Sequence, residues 1–141
     1  MGAGEVAIDS LPVCEFADPG PLRDRIIASV FAGEKTATSS LLGQYVDEEL
    51  PVPGQRFAVV DSSERRVAVI EVTSVEVLPL GEVGEAFALA EGEGFRSLAD
   101  WRRAHESFWL ADNEIAKLGI AVDDETLVVA ERFRLLQRIA R

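Results

Sequence analysis

Lys35 and Thr38 stand three residues apart in the run Glu34-Lys35-Thr36-Ala37-Thr38-Ser39-Ser40. A lysine can hold an anion or, once desolvated, assist deprotonation of a neighbouring hydroxyl, and a threonine hydroxyl so activated can attack an acyl carbon. In an extended chain successive side chains face opposite ways, so Lys35 and Thr38 meet only if a bend separates them. Spacing alone first suggests something plainer, a capping turn with a surface lysine. A second pair of chemically able groups lies in Glu91-Gly92-Glu93-Gly94. Glycine on either side permits tight backbone, and such a turn can carry a carboxylate into a pocket as general acid or base. It equally describes an exposed loop after a helix in an acidic protein.

Other chemistries fail on residue inventory. Gly33-Glu34-Lys35-Thr36 is not a phosphate-binding loop, because Glu34 and Ser29 occupy places where that motif needs glycine. One cysteine, Cys14, and one histidine, His105, exclude a Cys/His zinc site and an internal disulfide. No metal and no cofactor is expected. A Cys14–His105 catalytic pair rests on two isolated residues.

The elements that must position these groups follow from periodicity. Asp18-Pro-Gly-Pro21 opens a helix whose apolar residues Leu22, Ile26 and Val30 recur at helical spacing, and Gly33 stops it. Lys35 to Ser40 is then a loop entering a strand. Strands are expected over 56–61 and 66–78, the second alternating Val67, Val69, Glu71, Thr73, Val75 and Val77, with another over 126–136. A short helix is expected over 82–90. The clearest helix starts at the cap Ser97 and carries Leu98, Trp101, His105, Phe108, Asp112 and Ile115 along one face. On that face His105, Trp101 and Phe108 read as packing residues, while Trp109, one step away, could line a pocket. Residues 1–20 read as a lead-in with a short strand near Val6 to Ile8. Strands do not alternate with helices, so the fold class is α+β: a small, strongly curved mixed sheet or barrel with two to three flanking helices.

The chain of 141 residues is 48% hydrophobic and 28% charged, with 14 basic against 25 acidic residues and a formal charge of −11. That is one globular domain, over 21–141, able to bury a core. No run is long and apolar enough for a membrane span and the start lacks a secretion signal, so a cytoplasmic protein is expected, monomer or homodimer. Tight binding of long nucleic acid needs a basic surface, so the balance speaks against DNA and favours a small ligand.

In order along the chain, Gly33-Glu-Lys-Thr-Ala-Thr38, Leu50-Pro-Val-Pro-Gly54, Val69-Ile-Glu-Val-Thr73, Glu91-Gly-Glu-Gly94, Ser97-Leu98, Trp101-Arg102, His105, Phe108 and Glu131-Arg-Phe133 resemble the ASCH domain family. The resemblance implies a PUA-like β-barrel and a cleft tied to RNA metabolism. It implies Lys35, Thr38 and a glutamate, Glu91 or Glu93, as catalytic groups for hydrolysis of an acylated pyrimidine nucleoside of the acetylcytidine type. Thr36, Ser39, Trp101, His105 and Trp109 would contact the ligand, a small nucleoside or short single-stranded RNA. The alternatives are a non-catalytic RNA- or nucleoside-binding module and a metal-independent ribonuclease. Phe95 stands where larger members carry an aspartate.

Overall fold

The computed structural model describes residues 7–139. Five strands form one mixed sheet: β1 (Val13–Cys14), β2 (Ala37–Leu41), β3 (Arg56–Val60), β4 (Arg66–Pro79) and β5 (Leu127–Arg138). Their spatial order is β1-β3-β4-β5-β2, with β1 parallel to β3 and every other pair antiparallel. β1 and β2 are therefore the two ends, and no ladder joins them among the described residues. An open sheet replaces the closed barrel expected. A two-residue β1 is too short to close it, and the space between Cys14 and Thr38 is a cavity instead.

Helices number four among the described residues, not two or three: α1 (Pro21–Phe31), α2 (Glu85–Ala90), α3 (Leu98–Ala111) and α4 (Asn113–Leu118). α1 has Pro21 at its first turn and buries Ile26, Ile27 and Val30 against Phe16, Val59, Ile70 and Phe133. α2, α3 and α4 cover a second core of Leu41, Leu80, Val83, Ala88, Trp101, Trp109, Ile115 and Val128. The lead-in thus contributes β1 and the core residue Phe16 to the domain; of its expected strand, Val6 lies outside the described residues and Ile8–Ser10 is a 3-10 turn.

Two expectations for faces shift. Ser97 does cap α3, accepting from the Asp100 amide at 3.2 Å. The helix ends at Asp112, however, whose carboxylate accepts from the amides of Glu114 and Ile115 and starts α4. The α3 seam runs through Trp101, His105 and Trp109, so Trp109 is buried and Phe108 is half exposed. In β4 the expected alternation breaks at bulges between Val69 and Ile70 and between Val72 and Ser74, and Val67 to Ile70 are all buried. No helix of the described residues is long and apolar enough to cross a membrane.

Candidate functional site

Two segments distant in sequence are stitched together at the mouth of β2. The Thr36 amide donates to the Ala90 carbonyl at 2.8 Å, and the Ser29 hydroxyl donates to the Gly92 carbonyl. Backbones approach so closely here that a Cβ on Gly92 would lie 2.3 Å from the Glu34 carbonyl oxygen and 2.5 Å from the Lys35 nitrogen. Gly92 also has φ +63, so glycine is needed twice over. This docking sets the carboxylates of Glu91 and Glu93 beside Lys35.

Lys35 is not a surface lysine; only 2% of it is exposed. Its Nζ donates to the Ala37 carbonyl at 2.8 Å, the Glu91 carbonyl at 3.2 Å and Glu93 Oε2 at 2.9 Å. Glu91 Oε1 lies 3.5 Å away. An ammonium has three N–H donors and all three are engaged. A neutral amine would have two hydrogens for three acceptors, so the geometry is that of a fixed positive charge.

Glu91 is buried as deeply. Its Oε2 accepts from the Ser39 hydroxyl at 2.6 Å and from Trp101 Nε1 at 2.8 Å, and its Oε1 faces His105 Nε2 at 3.3 Å. Burial opposes ionisation, but the His105, Lys35 and Ser39 contacts outweigh it and hold the carboxyl below its ordinary value. The His105 ring stacks on Trp101 with centroids 4.4 Å apart. Its Nδ1 lies 3.0 Å from the Trp101 carbonyl, an acceptor only, so Nδ1 carries hydrogen.

The network floors a cleft of about 480 Å³, within the size range of small-ligand pockets. The cleft runs along the outer edge of β2, between the Phe16–Ile26 segment and α3. Of the residues expected from sequence, Lys35, Thr38, Ser39, Glu91, Glu93, His105 and Trp109 line it. Thr36 and Trp101 do not. Thr36 is exposed and bonded toward Ala90, and Trp101 is wholly buried behind Glu91. Thr38 and Ser39 are successive strand residues with opposite faces: Ser39 reaches Glu91, whereas the Thr38 hydroxyl makes no hydrogen bond to another described residue. Sequence reasoning missed Phe108 and Phe95 as walls; Phe95 tilts against His105 with centroids 5.7 Å apart.

It also missed Glu131. A second cavity, about 500 Å³, opens on the other face of β2 and is lined by Cys14, Thr38, Tyr45 and Glu131 among others. Glu131 makes no hydrogen bond or ion pair with another described residue, and burial pushes its carboxyl up to about 7. The signal was a lone carboxylate between Val129 and Phe133 on one strand face. Burial, then the charge of Glu131, push the Cys14 thiol up to about 12; Cys14 lines this cavity whereas His105 lines the cleft and meets Trp101 and Glu91, so the two do not form a pair. Among the described residues no group of three His, Cys, Asp or Glu side chains could hold a metal ion.

Residues 13–137 match the family model described as the ASCH domain. An ASCH domain structure from Lactobacillus crispatus JV V101 is 34% identical, with a TM-score of 0.72 over 80% of this chain and 71% of that one. Protein EF3133 from Enterococcus faecalis V583 is 33% identical, with a TM-score of 0.71 over 79% of this chain and 67% of that one. No curated protein matches the sequence.

Proposed function

Because the chain belongs to the ASCH domain family, we propose that the cleft along β2 takes a neutral, nucleoside-sized ligand derived from RNA and hydrolyses its acyl amide. The observation that carries this is the local charge. Among the described residues Lys35 is the only lysine or arginine lining the cleft, and it is already engaged by Glu91 and Glu93, while Glu15 at the rim is paired with Arg23 at 3.4 Å. A phosphodiester would find no uncommitted lysine or arginine there, which disfavours a long RNA or a ribonuclease reaction. An acylated pyrimidine nucleoside carries no charge and needs none.

Thr38 supplies the nucleophile, being the cleft hydroxyl that no other described residue engages. Beside it, the Ser39 amide lies on the outer edge of β2. Phe133 N donates to the Thr36 carbonyl at 3.0 Å, which fixes the alternation of the β2–β5 ladder and turns the Ser39 N–H away from β5. That N–H can meet the oxygen that becomes negative during attack. Glu93, whose side chain is 23% exposed, relays a proton from solvent to the leaving amine. Glu91 is an anchor: it fixes Ser39, Trp101, His105 and Lys35 and has no access of its own to a reacting atom. Lys35 contributes charge and position, not proton abstraction.

The test is release of acetate from N4-acetylcytidine. Thr38→Val keeps shape and removes the hydroxyl, and should lower turnover at least ~100-fold while leaving binding within a few fold. Unchanged turnover in that variant would refute the assignment. A non-catalytic module is the second reading, favoured by the mutual satisfaction of Lys35 and Glu91. It predicts saturable, salt-insensitive nucleoside binding with no acetate released by the wild-type protein.

A further inference from the structure

The hydrolysis reading leaves one proton without a destination. Thr38 must lose its hydroxyl hydrogen as it attacks, and none of the charged groups of the cleft floor is placed to take it. Lys35 has all three N–H groups donated and no lone pair to offer. Glu91 is surrounded by Ser39, Trp101, His105 and Lys35. Glu93 is held by Lys35 through Oε2 and is assigned to the leaving nitrogen, and His105 is bound at both nitrogens, to Trp101 and to Glu91.

Behind Thr38 the position is different. Thr38 and Glu131 are directly paired across β2 and β5, so their side chains rise from the same sheet face with Cβ atoms about 5 Å apart. Both line the second cavity, and Thr38 lines the ligand cleft as well. We propose, resting on that hydrolysis reading, that Glu131 is a catalytic residue which takes the hydroxyl proton of Thr38, reaching it from the cavity opposite the ligand.

The Thr38 Oγ1 proton passes to the Glu131 carboxylate while an Oγ1–carbon bond forms at the acyl carbon. The carbon–nitrogen bond then breaks, and the leaving nitrogen takes a proton from water through Glu93. The hydroxide so formed attacks the Thr38 ester, the Oγ1–carbon bond breaks, and Glu131 returns the proton to Oγ1. One amide and one water become one carboxylic acid and one amine.

The surroundings suit this cycle. The titratable groups facing Glu131 across the cavity are Cys14 from β1 and Tyr45, Glu48 and Glu49 from the connection after β2. β3 and β4 add only the apolar side chains of Phe57, Ile70 and Val72. No cation lines the cavity, the Cys14 thiol stays protonated, and burial also raises Tyr45. Burial alone brings Glu131 to about 7, so both of its forms are present near neutral pH, as a group that accepts and returns a proton requires.

The experiment uses p-nitrophenyl acetate, an activated acyl donor that does not depend on nucleoside recognition. Acylation is followed by p-nitrophenol release and located by peptide mass. Wild-type protein should be acylated on Thr38 at a rate that rises with pH through about 7. Glu131→Gln should slow this at least ~100-fold and flatten the pH profile, and Glu131→Asp should restore part of it. The thermal transition of each variant reports its folding, and Glu131→Asp carries the test if Glu131→Gln does not fold. Acylation of Thr38 in Glu131→Gln within about threefold of wild type would overturn the proposal, as would wild-type protein unlabelled at Thr38. Labelling of Thr38 that depends on Glu131, without turnover of N4-acetylcytidine, would uphold the role of Glu131 and refute the nucleoside reading alone.

Discussion

Replacing Lys35 by Met tests whether the site's ammonium is also a structural part. Lys35 and Glu91 are each almost fully buried. Removing the ammonium leaves the buried Glu91 carboxylate with only His105, 3.3 Å from its Oε1, across from it on that side. It also strips donors from the carbonyls of Ala37 and Glu91. Breaking a buried pair from one side typically costs about 3–5 kcal/mol. For a domain of this size that corresponds to a fall in Tm of roughly 10–20 °C. The carboxyl of Glu91 is held below its ordinary value in the native protein. It therefore adds stability that is present above the ordinary carboxylate range and lost as pH falls through its lower folded value. Lys35→Met loses the part of this share that Lys35 supplies beside His105 and Ser39, so the gap from wild type should be widest near pH 7 and narrow toward pH 4. Glu91→Gln in the Lys35→Met background should recover at least ~2 kcal/mol by removing the orphaned charge. Urea denaturation followed by tryptophan fluorescence at several pH values measures all three proteins. A loss below about 1 kcal/mol, or a gap independent of pH, would refute the buried-pair argument. A large loss would also mean that inactivity of Lys35 variants says little about chemistry, which is why Thr38→Val is the sharper probe.

Two further outcomes are expected. Gly92→Ala should destabilise by about 2–5 kcal/mol, since the left-handed backbone and the clash with the Glu34–Lys35 backbone add together. Gly33→Ala has a comparable φ of +78 but nothing within 4 Å of the added carbon, so about 1–2 kcal/mol is expected; equal losses at both sites, by chemical denaturation, would remove the close-approach argument. Glu131→Gln should stabilise the protein above pH 7, because burial raises the native carboxyl from 4.5 to about 7 and its ionisation is a cost there. The shift corresponds to at most about 3 kcal/mol, less for a carboxyl that is part exposed, and the gain should vanish below pH 4.5, where both states are protonated.

How much of this was legible in the sequence depended on whether a local rule had a competitor. α1 was legible because Pro21 starts it and Gly33 stops it, and β3, β4 and β5 fell within two residues of expectation. The α3 seam was off by one position at its far end. Trp101 and His105 are shared by two helical stripes, one continuing to Phe108 and the other to Trp109, and only packing against Leu41 and Val128 chooses between them. Asp112 fits the apolar stripe by spacing, but its carboxylate captures the first amides of α4. Within the site, Lys35 and the two glutamates were legible as chemistry but not as neighbours. Their contact depends on Gly92 pressed against Glu34, a long-range approach with no periodic trace. The division of labour between Thr38 and Ser39 was hidden for a related reason: it is set by the residue at which β2 begins, and Ala37 carries no mark of it.

The same parity bears on how the site can work. If β2 slipped by one residue against β5, Thr38 would turn to Glu91 and Ser39 to Glu131. Lys35 opposes that slip by bonding Ala37 and both segments at once, and Trp101 opposes it by holding Glu91 from below. Buried ion pairs seldom raise stability over a well-packed apolar replacement, so stability alone gives little reason to bury Lys35 and Glu91 together. Their effect is on register. They keep one hydroxyl committed to a buried carboxylate and leave the next uncommitted, facing the cleft on one side and an unpaired carboxyl on the other.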